Sequence, residues 1–170
     1  SMFGVDGLIN VILLNIGLIE APISWLRDAF YAKVTVILAI TWRWTGYNMI
    51  FYLAGLQNID PSIYEAAEID GAGKTRQFLS ITIPMLKPII LFTSIMSTIG
   101  TLQLFDEVVN LTGGGATTYA PTMTLSQYIF DLSFKYVPNF GYAATVSYVI
   151  VIIIAILSII QFRMAGDDHA

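Results

Sequence analysis

Residues 136–162 pass without one charged side chain, bounded by Lys135 and Arg163, and the block 149–157 is apolar on every face of a helix. Such a run meets the requirement of a bilayer-spanning helix, about 20 mostly apolar residues. Two further runs resemble it. Residues 88–105 end at Asp106 and Glu107, are only just long enough, and start a turn earlier near Pro84; residues 34–56 are long enough but hold Arg43 near their middle. The spans are expected at about 34–56, 84–106 and 138–162. Composition points the same way: 56% of the chain is hydrophobic and 12% charged, against about 25% charged in an average soluble domain. That leaves more apolar surface than one small globule can bury.

The segment 7–19 is also apolar, but at this length it suits an interfacial or buried helix rather than a span. Glu20, Ala21, Pro22, Trp25, Arg27 and Asp28 follow it, a mixture suited to the headgroup level. A signal peptide is the competing reading, weakened by the lack of a basic leading region. Ser1 ahead of Met2 reads as an expression scar. Lys74, Arg76, Lys87 and Arg163 against Arg27, Lys33 and Lys135 lean toward a cytoplasmic central loop. The expectation is thus an all-α membrane protein, with an extracytoplasmic or interfacial segment at 1–33 and the transmembrane part at 34–170. Three spans make an incomplete bundle, so partner helices are implied, along with membrane lipid.

Several chemistries are excluded. The net charge of −4 without a basic cluster argues against nucleic acid. The absence of cysteine removes disulfides, thiolate metal sites and a thiol nucleophile. The single histidine, His169, stands in a polar tail, so neither a histidine metal site nor a Ser/His/Asp triad can be assembled. No metal, cofactor or catalytic residue is expected.

The loop between the first two spans carries the strongest local signals. Of the twenty charged residues, Asp60, Glu65, Glu68, Asp70, Lys74 and Arg76 crowd into it. Asp60 suits an N-cap, with Pro61 at the first helical position, where a missing N–H costs nothing. Glu65 and Glu68 favour the early turns, and Gly71 can end the helix. Asp70 is expected to cap a second helix starting near Ala72 and running through Phe78 toward Pro84. Two short helices about a Gly-Ala-Gly bend follow. Small residues at 66, 67, 71 and 72 admit another protein's backbone closely, and the carboxylates offer contacts to Arg or Lys.

Glu65-Ala66-Ala67, then Asp70-Gly71-Ala72, Phe78, Ile81, Pro84 and Pro88, resembles the EAA loop of permease subunits in binding-protein-dependent ABC importers. Trp42-x-x-x-Gly46-Tyr47-Asn48, Leu53-Ala54-Gly55-Leu56-Gln57, Phe105-Asp106 and Leu111-Thr112-Gly113-Gly114-Gly115 resemble the sugar-type, maltose-permease-like branch, with Ala116 where the family often has proline. Having fewer spans than family permeases, the chain looks like a C-terminal half. The resemblance implies a multi-pass protein of the bacterial cell membrane that works with ATP-binding subunits, a second permease subunit, a solute-binding protein and a sugar. It implies a cytoplasmic coupling helix in the loop at about 60–83. There Glu65 pairs with a basic residue of the ATPase, Ala66 and Ala67 pack closely, Gly71 allows the bend, and Asp70 and Ala72 complete the motif. Gly113–115 lack the Lys-Ser or Lys-Thr of a phosphate loop, so ATP hydrolysis is expected in a partner.

Arg43 lies between Trp42 and Trp44, with Tyr47 one turn on. A charge inside a span costs about 3 kcal/mol and usually faces a bundle interior or aqueous cavity. Aromatic faces suit sugar rings, and arginine donates to hydroxyls. The resemblance adds Ser97, Gly100, Thr101 and Leu104 to the translocation path. The structural alternative is that Arg43 snorkels or pairs with Asp106 or Glu107. Residues 112–139 read either as holding a short membrane-surface helix near 122–134 that meets the binding protein, or as a solvated connector. Two other functions remain: a proton-coupled carrier using Asp106 and Glu107, and a non-transporting membrane scaffold.

Overall fold

The computed structural model describes residues 2–112, 122–135 and 137–166. Among these there are seven helices and no strand. They are α1 (Leu8–Asn15), α2 (Ala29–Gln57), α3 (Pro61–Ile69), α4 (Lys74–Leu102), α5 (Asp106–Thr112), α6 (Leu125–Phe130, continuing into a π turn at Asp131–Lys135) and α7 (Phe140–Gly166). Gly113–115, Ala116 and His169 lie outside the described residues. The chain divides into two compact units, one of Ser1–Arg43 with Leu102–Ile150, the other of Trp44–Thr101 with Val151–Ala170.

Helix boundaries follow local chemistry. Asp28 opens α2, its carboxylate accepting from the N–H groups of Phe30 (2.9 Å) and Tyr31 (3.2 Å). The helix therefore begins before the apolar run at 34. The second expected span also changes. Instead of starting near Pro84, α4 runs unbroken from Lys74, because a π turn over Phe78–Thr82 lets the N–H of Ile83 reach back five residues to the carbonyl of Phe78. The widened turn stands just before Pro84, which has no N–H to continue an ordinary helical ladder. At its other end α4 stops at Leu102 rather than 106. The chain restarts as α5 with Asp106 and Glu107 in the first turn, where carboxylates complement the helix dipole.

Among the described residues two helices are long and apolar enough to cross a membrane, Lys74–Leu102 and Phe140–Ala165. α2 is equally long at 29 residues but interrupts its apolar sequence with Lys33, Arg43 and Asn48. α1, with eight residues, measures roughly 12 Å and is too short to span.

In the first unit, Val36 of α2 packs with Leu104 and with Val108 of α5, flanked by Ile40 and Leu111. A polar knot organises the N-terminal segment. The buried Asn10 amide donates to the carbonyls of Val5 and Ile23, both at 2.8 Å, and its oxygen accepts from the N–H of Ile23 (3.2 Å) and Trp25 Nε1 (2.8 Å). Asn10→Ala strands these groups, and each buried unsatisfied group costs about 1–3 kcal/mol. The expected result is a clearly lowered thermal midpoint of the purified protein, with altered Trp25 fluorescence.

α6 inverts the usual arrangement. Gln127, Asp131 and Ser133 are buried, while Leu125, Phe130 and Phe134 are exposed. Phe130 packs with tilted rings against Phe105 and Phe134, and Phe134 meets Phe140, at the start of α7, edge to face. An exposed apolar face over a polar interior is a poor solution in water and a good one against lipid.

The second unit is built on close contact between α2 and α4. Gly55 admits the side chains of Leu86 and Ile89; Tyr52 shares a hydrogen bond with Thr93 (2.8 Å); the amide of Asn48 donates to Ser97 Oγ (3.0 Å); and the Trp44 ring lies over Gly100. From α7, Gln161 Nε2 donates to Thr98 Oγ1 at 2.7 Å. Glycines at contact points and polar side chains bonded between helices are the means by which helices associate in lipid, where burial of apolar surface gives no advantage.

Candidate functional site

The loop between α2 and α4 is an exposed short helix with firmly defined ends. Asp60 caps α3, accepting from the Ser62 N–H at 2.9 Å, with Pro61 at the first helical position. The Ser62 backbone N–H, and then its hydroxyl, hold the Asp60 carboxyl below its ordinary pKa, so the charged cap is retained at neutral pH. At the other end the N–H of Ala72 bonds to the carbonyl of Ala67 (2.9 Å) and that of Gly71 to Glu68 (3.0 Å). These are the two bonds of a Schellman motif, with Gly71 in the left-handed region at φ +76°.

Asp70 occupies the C-cap of α3 and does not cap the following helix as the sequence suggested. α4 starts at Lys74 rather than near Ala72, with Gly73 at its N-cap and no side-chain cap bond. The Schellman turn directs Asp70 into the end of α3, and Gly73 adds the extended residue that a new helix requires. Nor is the second helix short, since it continues as α4.

Two hydrogen bonds brace the bend. Gln77 Nε2 donates to the Ala72 carbonyl (2.9 Å), and the Tyr64 hydroxyl pairs with Thr82 Oγ1 in the π turn (2.8 Å). No residue of α3 is buried. Glu65, Ala66, Asp70 and Gly71 are exposed, with Ala67 and Ala72 half-buried beside a shallow cleft of about 190 Å³ that Arg76 also lines. Ile69, at 87% exposure, presents an apolar side chain beside the acidic groups. The surface thus combines small residues, carboxylates and one uncovered apolar side chain.

The residues expected along the solute path are distributed between the two units. In the first, the Arg43 guanidinium pairs with the carboxylate of Glu107, and Leu104 is buried in the apolar cluster with Val36 and Val108. In the second, Trp44 stacks edge-on against Tyr47, Tyr47 against Phe51, and Phe51 lies near Phe92. Ser97 accepts from Asn48, Gly100 sits beneath Trp44, and Thr101 is exposed. The buried Trp44 Nε1 and the Asn48 and Gln161 side-chain oxygens have no partner among the described residues. Gln161 escaped notice in the sequence, although an amide inside the apolar run of α7 was the available signal. Asn10 gave none, since its role depends on the fold of residues 4–25.

The family profile described as binding-protein-dependent transport system inner membrane component matches residues 6–165. The chain is 64% identical to the lactose transport system permease protein LacF of Rhizobium radiobacter, covering 98% of this chain and 56% of that protein. It is 35% identical to the arabinooligosaccharides transport system permease protein AraP of Bacillus subtilis, over 94% of this chain and 50% of the relative. The chain spans about half the length of these curated relatives. A crystal structure of a bacterial ABC transporter involved in the import of the acidic polysaccharide alginate shares the fold with a TM-score of 0.78 at 22% identity, over 99% of this chain and 59% of that one. With nearly its whole length matched, and a relative this similar, the chain belongs to the family of binding-protein-dependent transport system inner membrane components.

Proposed function

We propose that this chain is the C-terminal half of a permease subunit in an ATP-driven, binding-protein-dependent sugar importer, and that a lactose-like disaccharide is its solute. Residues 1–33 form the extracytoplasmic or interfacial segment, and 34–170 supply three spans, α2, α4 and α7. The loop at 60–83 is the EAA coupling element on the cytoplasmic side. Its partners are ATP-binding subunits that hydrolyse ATP, a second permease subunit and an extracytoplasmic solute-binding protein. Arg43, Trp44, Tyr47, Ser97, Gly100, Thr101 and Leu104 belong to the path or its supporting wall. The lactose permease relative, 64% identical, supports the solute class.

The observation that carries the coupling role is mechanical. No residue of α3 is buried, yet it is tied by Tyr64–Thr82 and by the Schellman turn to a helix of 29 residues that is apolar enough to span. Movement imposed on α3 by a partner is therefore passed to α4 rather than lost in a slack loop. Glu65, Asp70 and Gly71 stand at the exposed surface, with Ala66 between carboxylates, where an arginine or lysine of the ATPase can approach.

The test uses the full-length permease assembled with its ATPase subunits, second permease and binding protein. Glu65→Lys reverses the charge on an exposed helix and leaves folding intact. We expect lactose-stimulated ATP hydrolysis to fall at least tenfold while the subunits still copurify. Unchanged stimulation removes Glu65 from the coupling surface.

A further inference from the structure

We infer that Glu107 sets the charge selectivity of the solute path by neutralising Arg43, so that the path accepts uncharged saccharides and disfavours anionic ones. This rests on the proposed reading that Arg43 borders the path.

The ion pair closes one end of a packed seam. Val36, Ile40 and Arg43 follow one another at i, i+4 and i+7 on α2, and Leu104, Val108 and Leu111 have the same spacing on the facing segment. Glu107 precedes Val108, which is fully buried, and so its backbone is held by the apolar contact. The carboxylate side chain is only 15% exposed, whereas the guanidinium side chain is 62% exposed. The acid is thus the fixed, covered partner and the base the open one.

That asymmetry has a chemical consequence. A guanidinium has five N–H donors, and a single carboxylate engages at most two of them in a forked pair. The remaining donors stay available to hydroxyl oxygens. The net charge of the pair, however, is zero, so it lacks the field of an isolated cation in a low-dielectric wall, which would concentrate anions. Glu107 touches no solute in this arrangement; it is a positioning residue that converts Arg43 from an anion attractor into a neutral hydrogen-bond donor.

The experiment uses the assembled full-length transporter without its binding protein, whose own selectivity would mask the effect. The probes are lactose and lactobionate, its anionic aldonic-acid analogue, with binding measured by calorimetry. In the native protein lactose binds at least tenfold more tightly than lactobionate. E107Q, which keeps the shape and removes the charge, narrows that gap tenfold or more, about 1.4 kcal/mol, and the gain shrinks as salt is raised. The double variant R43Q/E107Q, neutral again, shows no such gain. An assembled E107Q with an unchanged ratio, or a gain that persists in the double variant, overturns the inference. If E107Q does not assemble, R43Q carries the test: its unpaired carboxylate must widen the gap, and an unmoved gap overturns the inference. Uptake in vesicles with the binding protein restored separates the two levels. R43Q at native lactose uptake refutes the path role of Arg43 and the inference with it. Impaired uptake in R43Q together with an unmoved ratio in E107Q overturns the charge inference alone.

Discussion

Gly71→Val is expected to remove most solute-stimulated ATP hydrolysis from the assembled importer, whereas Gly73→Ser, two residues away, leaves it intact. The two glycines look alike in the sequence and differ entirely in backbone. Gly71 has φ +76°, so any L-residue there pays about 1–2 kcal/mol, and a β-branched one more. Nothing lies within 4 Å of a Cβ built at Gly71, so the penalty is conformational and cannot be relieved by repacking. Relief comes by unwinding the Schellman turn, which breaks the bonds of Ala72 to Ala67 and Gly71 to Glu68 and loosens the junction of α3 with α4. Gly73, at φ −67° and ψ 162°, has ordinary extended geometry and stands at an N-cap without a side-chain bond. Serine there can supply the missing cap. ATPase assays with and without lactose on both variants decide the matter. Equal activity of the two would show that the end of α3 is not strained by valine, or that coupling does not pass through it.

Gly100→Val should lower the thermal midpoint and the yield of the assembled permease sharply, while Gly46→Ala, on the facing helix, should not. A Cβ at Gly100 runs into the indole of Trp44, a rigid ring that cannot fold away as the end of an isoleucine can. Trp44 is also held edge-on by Tyr47, with ring centroids 5.5 Å apart. Overpacking of this kind costs about 1–3 kcal/mol. In lipid no hydrophobic force restores a loosened helix contact. By contrast, a Cβ at Gly46 meets nothing within 4 Å, and alanine is the better helix former by about 1 kcal/mol. Fluorescence-detected size exclusion and a thermal ramp in detergent read both variants. The Gly100 variant should also change the tryptophan emission. Two equally stable variants would mean that the contact of α2 with α4 tolerates a gap of one side chain.

The loop helix was largely legible in the sequence. Asp60-Pro61 as a helix start and Gly71 as its end each depend on one or two neighbouring residues, and both stand as read. Asp70 misled for the opposite reason. A carboxylate before a new helix is a good local signal, but the Schellman turn and Gly73 intervene, and the turn assigns Asp70 to the helix that is ending. The second span misled similarly: Pro84 reads as a helix start, yet the π turn carries the helix through it. Arg43 was recognisable as an anomaly in an apolar run, with Asp106 and Glu107 as alternative partners. The choice of Glu107 depends on the phase of α5 against α2, which no local rule supplies.

By itself, then, the sequence determined an all-helical chain rich in apolar runs, the position and caps of the loop helix, and the scarcity of charge outside that loop. These are properties of helical period, of backbone freedom at single glycines and prolines, and of transfer from water, all of which act over a few residues. Only the tertiary structure decided that α4 is continuous from Lys74 to Leu102, that Asn10 gathers the N-terminal segment, that Leu104 is core, and that Glu107 holds Arg43. Each of these depends on which faces of separate helices meet. That is set by the packing inside each unit: in one, glycines at 55 and 100 permit the approach of α2 to α4; in the other, the seam of Val36 with Val108 fixes the rotation that brings residues 43 and 107 together.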